Sequence, residues 1–418
     1  MSSSSTKGWV VTLAGTGINL ALGVLYSWSV FAKALTKEWG WSASDASLPY
    51  AVACGIFAIV MVFAGRAQDK IGPKKVAAVG GALTGLGLIL SSFASQDNLA
   101  LMILGFGVLA GTGIGLGYAS ATPPAVKWFP PAKKGMITGI VVSGFGLASV
   151  YISPLTKSLL ASAGINKSFM ILGIAFFLVT VLMAQLLKDP PAGYVPAGMP
   201  AQGSAEAAKA AARHEYDWHE MMKTPQFYLL WLMYAFASFA GLMIIGHMAK
   251  IAGKQLTGMD LGFILVAVLA VFNAAGRIIA GVVSDKLGRT KTMLIVFIFQ
   301  AIVMLAFAKL TTVPLLVLGA AAVGFNYGSN LSLFPSTTAD FFGTKNLGVN
   351  YGLVFTAWGV GGVFGSMVAG KIVDVTSSYN MAFIVAAVLC VLAGLLSFLT
   401  KAPETVVVTK EVPSVSRD

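Results

Sequence analysis

One cation, Arg277, lies deep inside an apolar run, in the stretch 272–291 with the sequence FNAAGRIIAGVVSDKLGRTK. Asn273 precedes it by four residues and so shares its face if the run is helical. A charge near the centre of a bilayer costs roughly 2.5–3.5 kcal/mol on insertion scales, so such an arginine needs an anionic or polar partner. The chain's carboxylates do not offer one: Asp45, Asp260, Asp340 and Asp374 all fall near the ends of apolar runs. Asp285 is eight residues on, roughly 12 Å along a helix. The chemistry that remains is recognition of a carboxylate that comes and goes. The competing reading is a structural arginine paired with a carboxylate from another helix.

Other polar residues in apolar runs are candidates to share that site. They are Tyr118, the Asn326-Tyr327 pair, and His247, whose proton affinity lies near neutrality but whose neighbour Lys250 favours the neutral form. Each of them alone suits packing equally well. Other patterns carry less. Gly111-x-Gly113-x-Gly115-x-Gly117 sits in an apolar run with no strand before it, so helix packing explains it better than nucleotide binding. His214 and His219 are five apart with no further ligands near, which suits a solvated helix and not a metal site. With no phosphate-binding loop and no catalytic constellation, neither an enzyme, a metal site nor a cofactor is expected.

These residues must be positioned by membrane spans. The chain of 418 residues is 57% hydrophobic and 11% charged, with mean hydropathy +0.82, where soluble domains carry about 25% charged residues. Twelve apolar stretches, from 9–31 to 379–400, reach the ~20 residues a span requires. The expected class is an all-α membrane protein of twelve transmembrane helices. It divides into an N-terminal half (1–187), a linker (188–224), a C-terminal half (225–400) and a tail (401–418). No cleavable leader is expected, because the first apolar run is too long for one. With the N-terminus inside, 19 of the 28 Lys and Arg fall on the cytoplasmic side and 8 on the other. The bias places both termini and the linker in the cytoplasm of a cell inner membrane. It also accounts for the net charge of +12 without nucleic acid. Cys54 and Cys390 lie in spans and read as packing residues.

A repeat supplies the architecture. Gly65-x-x-x-Asp69-Lys70-x-Gly72-x-x-Lys75 recurs as Gly281-x-x-x-Asp285-Lys286-x-Gly288-x-x-Lys291 at an offset of 216 residues, six spans later. Equivalent loops six spans apart imply two parallel six-helix halves. The loop resembles the signature of the major facilitator superfamily. That resemblance implies a gating role for Gly65, Asp69, Lys70, Gly72, Gly281, Asp285, Lys286 and Gly288, with the aspartate able to pair across the halves in one conformation.

A narrower resemblance spans both halves. Lys7-Gly-Trp-Val-Val, Gly23-Val-Leu-Tyr-Ser-Trp-Ser-Val-Phe31, Lys223-Thr-Pro-Gln-Phe-Tyr-Leu-Leu-Trp231, Phe334-Pro-Ser-Thr-Thr-Ala-Asp340 and Asn350-Tyr-Gly352 look like the oxalate:formate antiporter family and, more loosely, the monocarboxylate transporters. The resemblance implies that Arg277 binds substrate carboxylate. Two departures matter. Asn273 stands where the monocarboxylate carriers have an aspartate, and Lys33 is an imperfect substitute for their helix-one lysine. Trp358 stands where the oxalate exchanger has its second buried cation. One cation argues for one carboxylate, held by Arg277, Asn273, Tyr118, Tyr327 and His247, with Leu25, Phe355 and Trp358 closing over the organic end. The expected function is transport of an L-lactate- or pyruvate-like monocarboxylate together with a proton, by a monomer in the lipid bilayer. The alternatives are carboxylate exchange of the formate or oxalate type, and a membrane sensor that does not transport.

Overall fold

The computed structural model describes residues 3–191, 194, 196, 214–256, 259–343 and 346–403. They are helical, with no strand among them. The first half comprises α1 (Ser3–Leu22), a 3-10 segment (Gly23–Ser27), α2 (Trp28–Glu38), α3 (Ala43–Ile71), α4 (Pro73–Ser91), α5 (Leu99–Met102), a π segment (Ile103–Ala110), α6 (Gly111–Lys127) and α7 (Pro131–Ala184). A short linker helix, α8 (Trp218–Met222), follows. The second half comprises α9 (Pro225–Gln255), α10 (Gly262–Leu287), α11 (Arg289–Phe307), α12 (Val313–Phe342), α13 (Leu347–Thr376) and α14 (Asn380–Leu399).

Among the described residues, ten stretches are long and apolar enough to cross a membrane. One of them, Met136–Ala184, makes two crossings. Gly164 interrupts α7 with φ 76°; Asn166 then ties the bend to the Ser92 and Ala94 carbonyls, and Lys188 returns to Trp128. With α12, 30 residues long but more polar at Asn326–Asn330, the crossings among the described residues number twelve. The two repeated loops share one conformation: Gly72 and Gly288 both have φ 90°, which glycine adopts without a Cβ penalty. So the sequence repeat is a repeat of backbone geometry. The side chain of Asp69 lies outside the described residues. Its counterpart Asp285 pairs with Arg289 of its own half at 2.6 Å, and Arg289 also reaches Asp340 at 2.8 Å. The exposed side chains of Lys70 and Lys286 face away from the helix packing.

The halves meet along two seams. On one, α3 runs antiparallel to α13, with Gly359 on Ala58, Gly362 on Cys54 and Gly370 on Ser44. On the other, the first leg of α7 packs on α10. Behind α10, Gly276 and Gly328 let α10 and α12 touch backbone to backbone. A Cβ on Gly328 would collide with the Asn273 carbonyl, and one on Gly276 with that of Phe325. Overpacking of this kind costs about 1–3 kcal/mol. Gly328→Ala is therefore expected to lower the thermal midpoint and displace the Asn273–Arg277 turn; an unchanged midpoint with full activity would contradict this packing.

All ion pairs that bridge the halves among the described residues lie on the face away from the linker. Asp260, between α9 and α10, accepts from Lys33 of α2 at 2.7 Å and from Lys157 of α7 at 3.2 Å. Ion pairs on the linker side stay within one half or involve the linker itself: Lys127–Asp189, Asp285–Arg289, Arg289–Asp340, His214–Glu220 and His219–Asp217. The conformation is closed on the far side.

Candidate functional site

Arg277 projects from α10 into the seam with α7 and is 7% exposed. Its Nε donates to Asn273 Oδ1 at 3.0 Å, as the four-residue spacing requires, and its Nη1 to the Val142 carbonyl of α7 at 2.9 Å. Gly146, one turn along α7, leaves room for the guanidinium, which lies 3.5 Å from where a Cβ would stand. No acidic side chain among the described residues pairs with Arg277. Its Nη2 and the Nδ2 of Asn273 are buried and without a hydrogen-bond partner. Both are donors.

A tyrosine pair lies in the same buried cluster. The 3-10 segment breaks the first span where Gly23 packs on Ala148 and the Phe145 carbonyl, and it presents Tyr26. The Tyr26 hydroxyl meets that of Tyr327 at 2.6 Å, joining the two halves, and Trp358 Nε1 donates to Tyr327 at 2.7 Å. Indole N–H only donates, so the Tyr327 oxygen accepts from Trp358. Of the two tyrosine protons, one fills the Tyr26–Tyr327 bond and the other is left for an acceptor. Two buried N–H donors without partners, on a guanidinium and the amide bonded to it, favour an anion with several lone pairs.

Aromatic rings wall the rest. Tyr118 faces Arg277 and sits edge-on to Phe145 and Phe57, at 5.2 and 5.4 Å. Phe355 stacks on Trp358 at 4.9 Å, and Phe57 meets Trp358 edge-on at 5.1 Å. Arg277, Asn273, Tyr118, Tyr327, Phe355 and Trp358 thus converge. Leu25 is fully buried beside Tyr26 in the 3-10 segment. Asn326 turns the other way, onto Gln300 at 2.9 Å. His247 belongs to another network, with Nδ1 at 3.0 Å from the Tyr379 hydroxyl and Nε2 at 3.1 Å from the Ser366 carbonyl. The carbonyl accepts, so Nε2 carries the proton and Nδ1 accepts from Tyr379. Tyr26, Phe57, Phe145 and the Val142 carbonyl were not singled out from the sequence. The signal for Tyr26 was its place in the stretch 23–31, which carries the family resemblance and opens on Gly23.

Above this cavity, Asp260 closes the far side. The hydrogen bond from Lys33, followed by that from Lys157, holds its carboxyl below the usual carboxylate range. A lowered value means that the bridge is intact above the ordinary carboxylate pKa and is lost as pH falls through the lowered one. The share of molecules with a short distance between the halves on this face should hold steady from neutral pH through the ordinary carboxylate range and fall only in stronger acid. A fall in that share already near neutrality would contradict the bridge.

A family model described as Major Facilitator Superfamily matches residues 9–270 and 242–416. An uncharacterised MFS-type transporter of Escherichia coli K12, YhjX, is 33% identical over 358 residues, covering 84% of this chain and 85% of its own length. The oxalate:formate antiporter of Oxalobacter formigenes is 30% identical over 371 residues, covering 88% and 84%. Monocarboxylate transporter 14 of Mus musculus is 24% identical over 452 residues, covering 89% and 84%. A solved D-xylose–proton symporter shares the fold, with a TM-score of 0.72 at 14% identity over 95% of this chain and 98% of that one.

Proposed function

The chain belongs to the Major Facilitator Superfamily, and on that premise we propose that it carries a small monocarboxylate, L-lactate- or pyruvate-like, across a cell inner membrane together with a proton. The observation that carries this reading is the pair of buried, unpartnered donors, Arg277 Nη2 and Asn273 Nδ2, on and beside an arginine that no carboxylate among the described residues neutralises. A carboxylate bound there accepts from both and supplies the missing charge. The free tyrosine proton of the Tyr26–Tyr327 pair suits a second carboxylate oxygen or a neighbouring hydroxyl or keto oxygen. Phe355, Trp358 and Phe57 supply flat apolar faces for the short organic end to pack against. Trp358 puts an indole where a dicarboxylate would need a second cation.

Transport follows from rocking of the halves, 1–187 against 225–400, about this site. In the conformation seen, Asp260 closes one side. The Lys/Arg bias assigns the linker side to the cytoplasm, so the site would open inward here. An empty, uncompensated Arg277 resists occlusion, and an anion relieves it; a proton taken up with the anion keeps the loaded carrier's charge equal to that of the empty one. A monomer suffices, since the site lies within one chain.

The test is uptake of labelled lactate into vesicles containing the purified protein. An inward proton gradient is expected to drive accumulation in vesicles with no internal substrate, and oxalate is expected to compete poorly. The 30% identity to an oxalate:formate antiporter favours a second reading, exchange of monocarboxylates. Uptake that ignores the gradient and requires internal carboxylate would establish exchange in place of symport.

A further inference from the structure

The far side carries a second inter-half contact besides Asp260. Asp374, near the end of α13, reaches across to the start of α3. Its carboxylate accepts from the backbone N–H of Ala43 at 2.8 Å and of Ser44 at 3.0 Å, and from the Ser44 hydroxyl. These N–H groups begin a helix of the other half, where an anion is favoured by the unpaired donors and the helix dipole.

Within its own half, Lys250 of α9 lies between His247, which bonds Ser366 and Tyr379, and Lys254, which bonds Ser377, and so is set beside the stretch of α13 that carries Asp374. Lys250 is 9% exposed, and its Nζ is buried with no hydrogen-bond partner. The polar residues on either side of it along α9 are satisfied. His247, already held by Tyr379 and Ser366, also lies 3.2 Å from Ser47 of α3; Lys254 donates to the Ser377 carbonyl at 2.7 Å. Lys250 alone is left with an unsatisfied ammonium, which is costly when buried. Nothing in the substrate site uses it, and α9 and α13 are packed in the same half.

We propose that Asp374 is a two-position carboxylate: it caps α3 when the far side is closed and turns to Lys250 when the far side opens. Opening carries α3 away from α13, so Asp374 loses three hydrogen bonds. Lys250 stays within the same half and takes the released charge. The unpartnered ammonium in the closed state is the other half of this exchange. Lys250 and Asp374 are then positioning residues that set the balance between the two conformations without touching substrate.

The test reads that balance directly, without substrate, so it is independent of what the carrier transports. Spin labels go on Ser162, exposed at the far-side bend of α7, and Thr311, exposed in the loop between α11 and α12; the native Cys54 and Cys390 are buried. Distances are measured in lipid nanodiscs. Wild-type protein is expected to show a short and a long population. Lys250→Met should raise the ratio of short to long at least about five-fold, the low end of ordinary coupling between conformations. Lys250→Arg should restore the wild-type ratio. In an Asp374→Asn background, Lys250→Met should change nothing further. The proposal is overturned by a single population in the wild type or by an unchanged or lowered ratio in Lys250→Met. An equal shift in the Asp374→Asn background also overturns it, because the effect would then come from burial of the lysine and not from its pairing.

Discussion

Arg277→Ala protein is expected to fold, insert and fail to transport. Removing one partner of a buried, hydrogen-bonded charge pair costs about 2–5 kcal/mol; at 1.4 kcal/mol per factor of ten, that is roughly 30-fold to several-thousand-fold weaker binding. Loss of fold is not the expected cause. Arg277 bonds the Asn273 side chain and the Val142 carbonyl and faces Tyr118, and its Nη2 is without a partner that meets hydrogen-bond geometry. Removing an uncompensated buried charge relieves a penalty, so the empty variant should melt no lower than wild type. Arg277→Lys keeps the charge but loses the planar fork, and should retain a small part of the activity. Uptake of labelled lactate, read beside a thermal melt, checks both halves of the statement. Wild-type uptake by Arg277→Ala would remove the substrate role from this residue.

Trp358→Lys is expected to exchange one specificity for another. Trp358 is fully buried, stacked on Phe355 and bonded to Tyr327. Replacing it with lysine removes the flat wall and places a second cation in the same cavity as Arg277. Unfilled, that cation costs about 2.5–3.5 kcal/mol on insertion scales, so the empty variant should melt below wild type. A dianion compensates both charges at once. Oxalate should therefore raise the melting temperature of Trp358→Lys well above that of its empty form, while lactate should have little effect. Wild type should show the reverse order. A variant stabilised by lactate but not by oxalate would mean that charge count does not set the choice.

The parts legible in the sequence are those carried by local spacing. Arg277 and Asn273 are four apart on one helix, and the bond between them follows from that alone. The loops ending at Gly72 and Gly288 repeat in sequence and have the same backbone turn. Trp358 was legible through a resemblance, as the residue in place of a cation. What was not legible joins positions far apart in the chain. Tyr26 meets Tyr327 across 301 residues, Asp374 meets Ser44 across 330, and Asp260 lies 227 from Lys33. No local periodicity records such partners. Lys33, by resemblance an imperfect substitute for a helix-one lysine, forms part of the far-side bridge. His247 was placed with the substrate because it is polar in an apolar span; its two ring nitrogens are instead both engaged by Tyr379 and Ser366. Ionisable residues near span ends are where sequence reasoning says least, since snorkelling, gating and binding all place them there.

The central claim is that one buried arginine selects one carboxylate. Calorimetric titration of the purified wild-type protein, with lactate and with oxalate, tests it most directly. Binding of lactate at one site per chain, tighter than oxalate and abolished in Arg277→Met, is the predicted result. Tighter binding of oxalate by wild type, or lactate binding that survives Arg277→Met, would contradict it.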